Sequence, residues 1–300
     1  MTILDEVGAS IRQVAEGAGA SVVGIGQRRG AGSGIVLGQG QVLTNAHNVR
    51  GDQVTVTFAG GRTAEGTVAG RDIDGDLAVI SVDTGDTPAL AWAGSGSAQI
   101  GEPVFAVANP GGRGLRVTFG FVSGVDRAFR GPRGRRITGT LEHTAPLLPG
   151  SSGGPVLDAG GRLLGINTSR LGEGFYLAIP ADETLRGRAD ALARGETATS
   201  PRLGVSLTPT PVARRLRRAV GLPDADGLLI GEVAEASPAA RAGLAAGDLI
   251  VAAAGRPVSA PDDLFDALAA ARGGTLELRV VRGTDERTLQ VTFTDPDQKA

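Results

Sequence analysis

The segment "PLLPGSSGGPVLD", residues 146–158, sets Ser151 and Ser152 side by side in a run of glycine and proline. Such a loop turns tightly, and its backbone N–H groups can converge on an anion or a developing oxyanion. The same composition also makes ordinary surface turns. A serine hydroxyl becomes a nucleophile when a base removes its proton, usually a histidine steadied by a carboxylate. The chain has two histidines. His47 lies in "QVLTNAHNV", where a strand hands over to a turn, and His143 lies nine residues before Ser152. The segment "RDIDGDLAVISVD" offers Asp72, Asp74 and Asp76. Of these, Asp76 opens the apolar strand "LAVISV", so it is the one expected to be buried and fixed.

The elements that must position these groups are mostly strands. Leu4, Val7, Ile11 and Val14 recur at helical spacing and predict an amphipathic helix over 1–17, ended by Gly17 and Gly19. Its apolar stripe could pack on the chain's own core or serve contacts between copies. Short strands then follow from Ser21 to about Pro180, among them "SVVGIG", "GSGIVL", "VTVTF", "PVFAVA", "RVTFGFVSGV", "RLLGIN" and "FYLAIP". Regular glycine-rich turns between them predict an all-β barrel or sandwich. Residues 182–194 read as a helix, and "GETATSP", 195–201, reads as a linker. The chain then changes character. "GLLIGEV", "GDLIVAAA", "TLELRVV" and "RTLQVTF" alternate with helical "PVARRLRRAV" and "APDDLFDALAAAR", predicting a small α+β domain over 202–293 with a disordered tail at 294–300.

Composition removes several function classes. A formal net charge of −2 makes no general case for nucleic acid or an anionic membrane. The chain has no cysteine, which excludes disulfides, thiolate nucleophiles and thiolate metal sites. No apolar run reaches the roughly 18 residues of a membrane-spanning helix. The start lacks a basic segment followed by an apolar run, so cytoplasmic residence is expected. The alternative is an exported protein whose leader or anchor lies outside this sequence. "GRRGAGSGIV" lacks the Gly-Lys-Ser/Thr of a phosphate loop, and "DIDGD" has its glycine one place early for a calcium loop, so neither a cofactor nor a metal is expected. The arginine-rich "RAFRGPRGRR" (127–136) and "RRLRR" (214–218) read as a solvated loop and a solvated helix face, the former alternatively as a regulatory sensor loop. His143 reads as structural or near a pocket rim.

"TNAHNV", "DGDLAVISV", "PGSSGGPVLDAGGRLLGINT" and "FYLAIP" together resemble the HtrA (Deg) family of trypsin-like serine proteases. "RLGVSL", "GLLIGEV" and "ASPAARAGLAAGDLIVAAAGRPV" resemble the PDZ domain that follows the protease in that family. The resemblance runs over roughly residues 18–293, in the family's domain order, with the protease at 18–194. It implies a mostly β, chymotrypsin-like double barrel with its site in the cleft, followed by an α+β PDZ domain. It also implies the chain order His47, Asp76, Ser152 as base, orienting carboxylate and nucleophile. Gly150 and Ser152 would donate the oxyanion N–H groups. Pro146 would form the base of a shallow apolar specificity pocket, and Asn167, Thr168 and Ser169 would pair with substrate. In the PDZ domain Arg202, Leu203, Gly204 and Val205 would form the carboxylate-binding loop, with Phe265 and Leu268 lining the groove or filling the core. Partners so implied are unfolded protein substrates, C-terminal peptides and, by analogy with the family, two further copies in a trimer. Thr144, Leu148 and Ser151 stand where the family has Asp, Asn and Asn, and Asn48 where it usually has Val. Those departures motivate a rival reading, a peptide-binding holdase with a resting protease domain.

Overall fold

The structure is a computed structural model that describes residues 2–27, 30–94, 98–130, 136–172, 174–196, 201–222, 225–271 and 274–293. The expected tail 294–300, the centre of the linker (197–200) and the tip of the arginine-rich loop (131–135) lie outside these residues. The chain divides into two compact units, Met1–Thr199 and Ser200–Ala300.

The first unit begins with helix α1, Ile3–Ala18. Thr2 caps it by accepting from the Asp5 N–H, and the Asp5 carboxylate accepts from the Thr2 N–H in return. The helix runs through Gly17, a residue that tertiary contacts tolerate inside a helix. Only the C-terminal half of its apolar stripe is used: Val14 is buried, Val7 and Ile11 are half-buried, and Leu4 is 81% exposed. Strands β1 (Val22–Gln27), β2 (Gly30–Gly38), β3 (Gln41–Thr44), β4 (Gln53–Thr57), β5 (Thr63–Asp72) and β6 (Leu77–Ser81) close a barrel in the order β1-β2-β3-β6-β5-β4. Strands β7 (Pro103–Ala108), β8 (Arg116–Arg130), β9 (Arg136–His143), β10 (Pro155–Leu157), β11 (Leu163–Gly172) and β12 (Phe175–Pro180) close a second in the order β10-β11-β12-β9-β8-β7. Helix α2, Glu183–Ala193, follows with Asp182 as its cap.

One buried apolar cluster joins both barrels, drawing Ile35 and Leu43 from the first, Phe105 and Leu157 from the second, Val14 from α1 and Leu185 from α2. The connector between the barrels is bonded to each. Leu90 N–H donates to the Val36 carbonyl, and around Leu163 the chain exchanges bonds with Ala91 and Ala93.

The second unit contains β13 (Val205–Leu207), α3 (Thr210–Ala219), β14 (Leu228–Val233), α4 (Pro238–Arg241), β15 (Leu249–Ala253), β16 (Arg256–Pro257), α5 (Pro261–Ala270), β17 (Thr275–Arg282) and β18 (Asp285–Thr292). Its sheet runs β13-β14-β15-β17-β18 over a core that includes Ile230, Leu264, Leu268 and Leu278. The "RRLRR" run lies on α3, yet it is not wholly solvated, because Arg217 is buried while its four neighbours are exposed.

Candidate active site

Strand register brings the sequence-distant groups together. β3 and β6 are antiparallel neighbours with Thr44 opposite Ala78. The turn leaving β3 and the turn entering β6 therefore meet, which sets His47 beside Asp76. His47 lies in a short 3₁₀ turn, Ala46–Asn48. Its Nδ1 is 2.9 Å from both carboxylate oxygens of Asp76, and its backbone N–H also donates to Asp76 Oδ1 at 3.2 Å. Asp76 itself is 1% exposed, with its backbone in the left-handed region at φ 55°. That conformation aims the carboxylate inward, and Asn45 Nδ2 secures it by donating to the Asp76 carbonyl at 2.9 Å. Asp72 serves the turn instead, accepting from the Gly75 N–H and pairing with Arg188.

The second barrel supplies the serine. Pro155 on β10 faces Ile166 on β11, so the loop before β10 lies against the residues after Ile166. Thr168 sits there and touches both halves of the site. Its hydroxyl donates to Asp76 Oδ2 at 2.6 Å, and its carbonyl accepts from Ser152 Oγ at 3.3 Å. Ser152 makes no hydrogen bond to His47 in this arrangement. Of the adjacent serines, Ser151 is buried and Ser152 half-exposed, so only Ser152 presents its hydroxyl at the surface of the cleft.

The loop's backbone is sorted in a telling way. The N–H groups of Ser151, Gly153 and Gly154 donate to the carbonyls of Leu148, Asn167 and Ser151. Those of Gly150 and Ser152 donate to no described group. The Gly150 carbonyl accepts from Ser33 Oγ, and the Ser152 carbonyl accepts from both the Ser33 N–H and Asn48 Nδ2. Gly153 must be glycine: its φ is +86°, and a Cβ would come within 2.1 Å of the Ser33 carbonyl oxygen.

Other expected positions fall differently. Pro146 is exposed on the loop, and the adjacent Ala145 is fully buried. Asn167 is buried, with its N–H and C=O bonded to Gly154 and Gly153 and its side chain to His143, Gly154 and Pro155. It has no backbone group left for a substrate strand. The β10-side edge of β11 opens only after it, at Thr168 and Ser169, and the Ser169 side chain lies outside the description. His143 is fully buried, stacked on Tyr176, with Nε2 2.9 Å from Asn167 Oδ1. Loss of solvation holds its pKa down at about 4, below the usual 6.5, against the opposing pull of Asn167 and of Glu142. Thr144, one of the departures, accepts from the Phe121 N–H and so fixes the start of this loop against β8.

In the second unit Leu203 and Gly204 precede edge strand β13, which pairs only with β14 among the described residues. Their carbonyls accept from Ala239 and Ala234, while their own N–H groups donate to no described group. Gly204 has φ +83°, and a Cβ there would sit 2.3 Å from Ser237 Cβ. Arg202 is exposed and Val205 half-buried. Leu268 packs in the core, and Phe265 on the same helix stays half-exposed. No group of metal-ligating side chains occurs among the described residues, nor any helix long and apolar enough to cross a membrane.

Comparison with known proteins agrees with this geometry. A family model for a trypsin-like peptidase domain matches residues 32–166, and one for a PDZ domain matches 229–282. The serine endoprotease DegS of Escherichia coli strain K12 is 30% identical over 277 residues, covering 88% of this chain and 77% of that one. A probable periplasmic serine endoprotease, DegP-like, of Halomonas elongata is 33% identical over 91% of this chain. This chain spans 58% of that relative's length, and likewise under two thirds of several others. Among solved structures, the HtrA-type protease AlgW with a decapeptide superposes with a TM-score of 0.72 at 25% identity, covering 95% of this chain and 98% of that one. The serine endoprotease from Yersinia pestis gives 0.70 at 27% identity, covering 96% and 98%.

Proposed function

The chain belongs to the HtrA (Deg) family of trypsin-like serine proteases with a PDZ domain, and from that premise we propose that it is a serine endopeptidase acting on unfolded or damaged proteins. Ser152 is the nucleophile. Its Oγ turns from the Thr168 carbonyl to His47 Nε2, gives up its proton and attacks the scissile carbonyl. His47 then returns the proton to the leaving amine. Asp76 holds the imidazole through Nδ1 and stabilises the cation that forms, and Thr168 in turn holds Asp76. The unengaged N–H groups of Gly150 and Ser152 receive the tetrahedral oxyanion; one such donor is worth roughly 2.7–4 kcal/mol. Water then releases the acyl group by the same steps in reverse. The observation that carries this reading is the continuous set of bonds from His47 through Asp76 and Thr168 to Ser152, beside two N–H groups with no partner among the described residues.

The substrate adds a strand along the edge of β11 that opens at Thr168. In the second unit the Leu203 and Gly204 N–H groups take a peptide's terminal carboxylate while its backbone pairs with β13. The decapeptide of the AlgW structure is consistent with such a partner.

Hydrolysis of unfolded casein by the wild-type chain and by Ser152→Ala tests the assignment. Loss of the nucleophile should lower the rate by about 10⁶. Equal rates would remove Ser152 from the mechanism. Failure of both to cut, with casein aggregation suppressed, would favour the holdase reading.

A further inference from the structure

Asn48 follows His47 in the same turn and uses both hydrogens of its amide. Nδ2 donates to Thr44 Oγ1 at 3.0 Å and to the Ser152 carbonyl at 2.8 Å. Thr44 Oγ1 passes its own hydrogen to the Ser33 carbonyl at 2.7 Å, and the Ser33 N–H returns to the Ser152 carbonyl at 2.9 Å. The four residues thus close a ring of hydrogen bonds. Three of them, Ser33, Thr44 and Asn48, belong to the first barrel or its turns; Ser152 belongs to the second.

The space for this ring is cut to shape. A Cβ on Gly32 would lie 2.4 Å from Asn48 Cγ, and one on Gly153 would lie 3.0 Å from Asn48 Nδ2. An amide therefore fits between two backbone segments where no larger group would. The consequence falls on two peptide planes. Ser33 Oγ, itself held by the Asn109 N–H at 3.0 Å, fixes the Gly150 carbonyl, and Asn48 with the Ser33 N–H fixes the Ser152 carbonyl. These are the Gly150–Ser151 and Ser152–Gly153 planes. The Ser151–Ser152 plane between them, which carries the Ser152 N–H, is held through the Ser151 carbonyl by the Gly154 N–H, and the plane carrying the Gly150 N–H adjoins the first, so both donors are confined by fixed neighbours.

We propose that Asn48 is a positioning residue: its amide ties the histidine-bearing turn to the Ser152 carbonyl across the two barrels and keeps the oxyanion donors aimed. The inference rests on Ser152 being the nucleophile, as proposed above. A valine at position 48 would fill similar space but supply no donor, leaving the Ser152 carbonyl with the single bond from Ser33.

The test is the kinetics of inactivation by a fluorophosphonate, which reports acylation-like attack without knowledge of the substrate. The full chain is compared with Asn48→Val, Asn48→Asp and Ser152→Ala, and each variant's thermal unfolding is followed in parallel. Asn48→Asp keeps the shape and exchanges the donor for an acceptor. The expected result is a fall in the maximal inactivation rate on the order of ten- to a hundredfold for both Asn48 variants. The half-saturating probe concentration should stay within about twofold, because probe binding does not depend on the donors' aim. Wild-type rates in both variants would overturn the proposal, as would a fall matched by loss of folded protein, which would make Asn48 merely structural. A wild-type chain as inert as Ser152→Ala would bring down the active-site assignment itself, and this inference with it.

Discussion

The protease unit and the PDZ unit build their sites from different material. In the first, the groups proposed as nucleophile, base and orienting acid are side chains, and other side chains hold the site together: Asp76 holds His47, Thr168 holds Asp76, and Asn48 holds the Ser152 carbonyl. In the second, the groups proposed to recognise a peptide are amides at the head of an edge strand, and the side chains around Leu203 and Gly204 only shape the backbone that carries them. Side-chain sites concentrate their worth in a few atoms, so single substitutions should act steeply there. Backbone sites spread it over conformation, so they should respond more gently and chiefly to changes in φ.

After loss of Ser152 itself, the steepest break in that contrast is expected at Asp76. Asp76→Asn keeps the shape but disturbs the imidazole's tautomer, and kcat on an unfolded substrate should drop by about 10⁴. A drop of less than tenfold would mean that His47 is oriented by its turn alone. A smaller effect comes from His143 and is read as stability. Folded, it stays neutral down to about pH 4, whereas its ordinary pKa is 6.5. Between these values the unfolded chain binds the extra proton, so stability is fully present above about pH 6.5 and declines as the pH falls toward 4. The decline should reach on the order of 3 kcal/mol. Denaturant unfolding of the protease unit across this window measures it, and His143→Gln should flatten the slope. Gentlest of all should be Gly204→Ala in the PDZ unit. An alanine at φ +83° costs roughly 1–2 kcal/mol, and Ser237 must give way besides. Binding of a C-terminal peptide, followed by fluorescence anisotropy, should weaken about tenfold. A loss as steep as that at Asp76 would erase the distinction between the two kinds of site.

The same contrast governs what can be read from the sequence. The two histidines, the Asp76 that opens an apolar strand and the serine pair in its glycine loop are visible as residue types, and the two-unit order is visible in the change from strands alone to mixed strands and helices. Strands β5, β9 and β10 are not visible. "TAEGTVAGRD" and "RITGTLEH" carry too many polar and glycine residues for a period-two pattern, and "PVL" is too short for any pattern. What makes them strands is the need to close two barrels. Ser33, and the bond from Thr168 to Asp76, escape notice for a related reason: Thr168 is expected only as a partner for substrate, and a serine in an apolar strand looks like neutral filling until register shows what each faces. Asn167 misleads in the opposite way, because its place beside the cleft hides the fact that every polar group it has points inward. Asn48 shows itself only as a departure from the family's usual residue, and its partner is 104 positions away.

The connector bears on how the protease unit would lose its proposed activity. It is laced by backbone bonds to Val36 in one barrel and Leu163 in the other, over an apolar cluster that both share. Melting either barrel would expose the half of that cluster it covers, so the two are expected to melt together. His47 and Ser152, lodged in different barrels, are therefore surrendered in one event and recovered in one event. On heating, the surviving catalytic rate should follow the population of folded protease unit, and a simple activity assay becomes a thermometer for the fold.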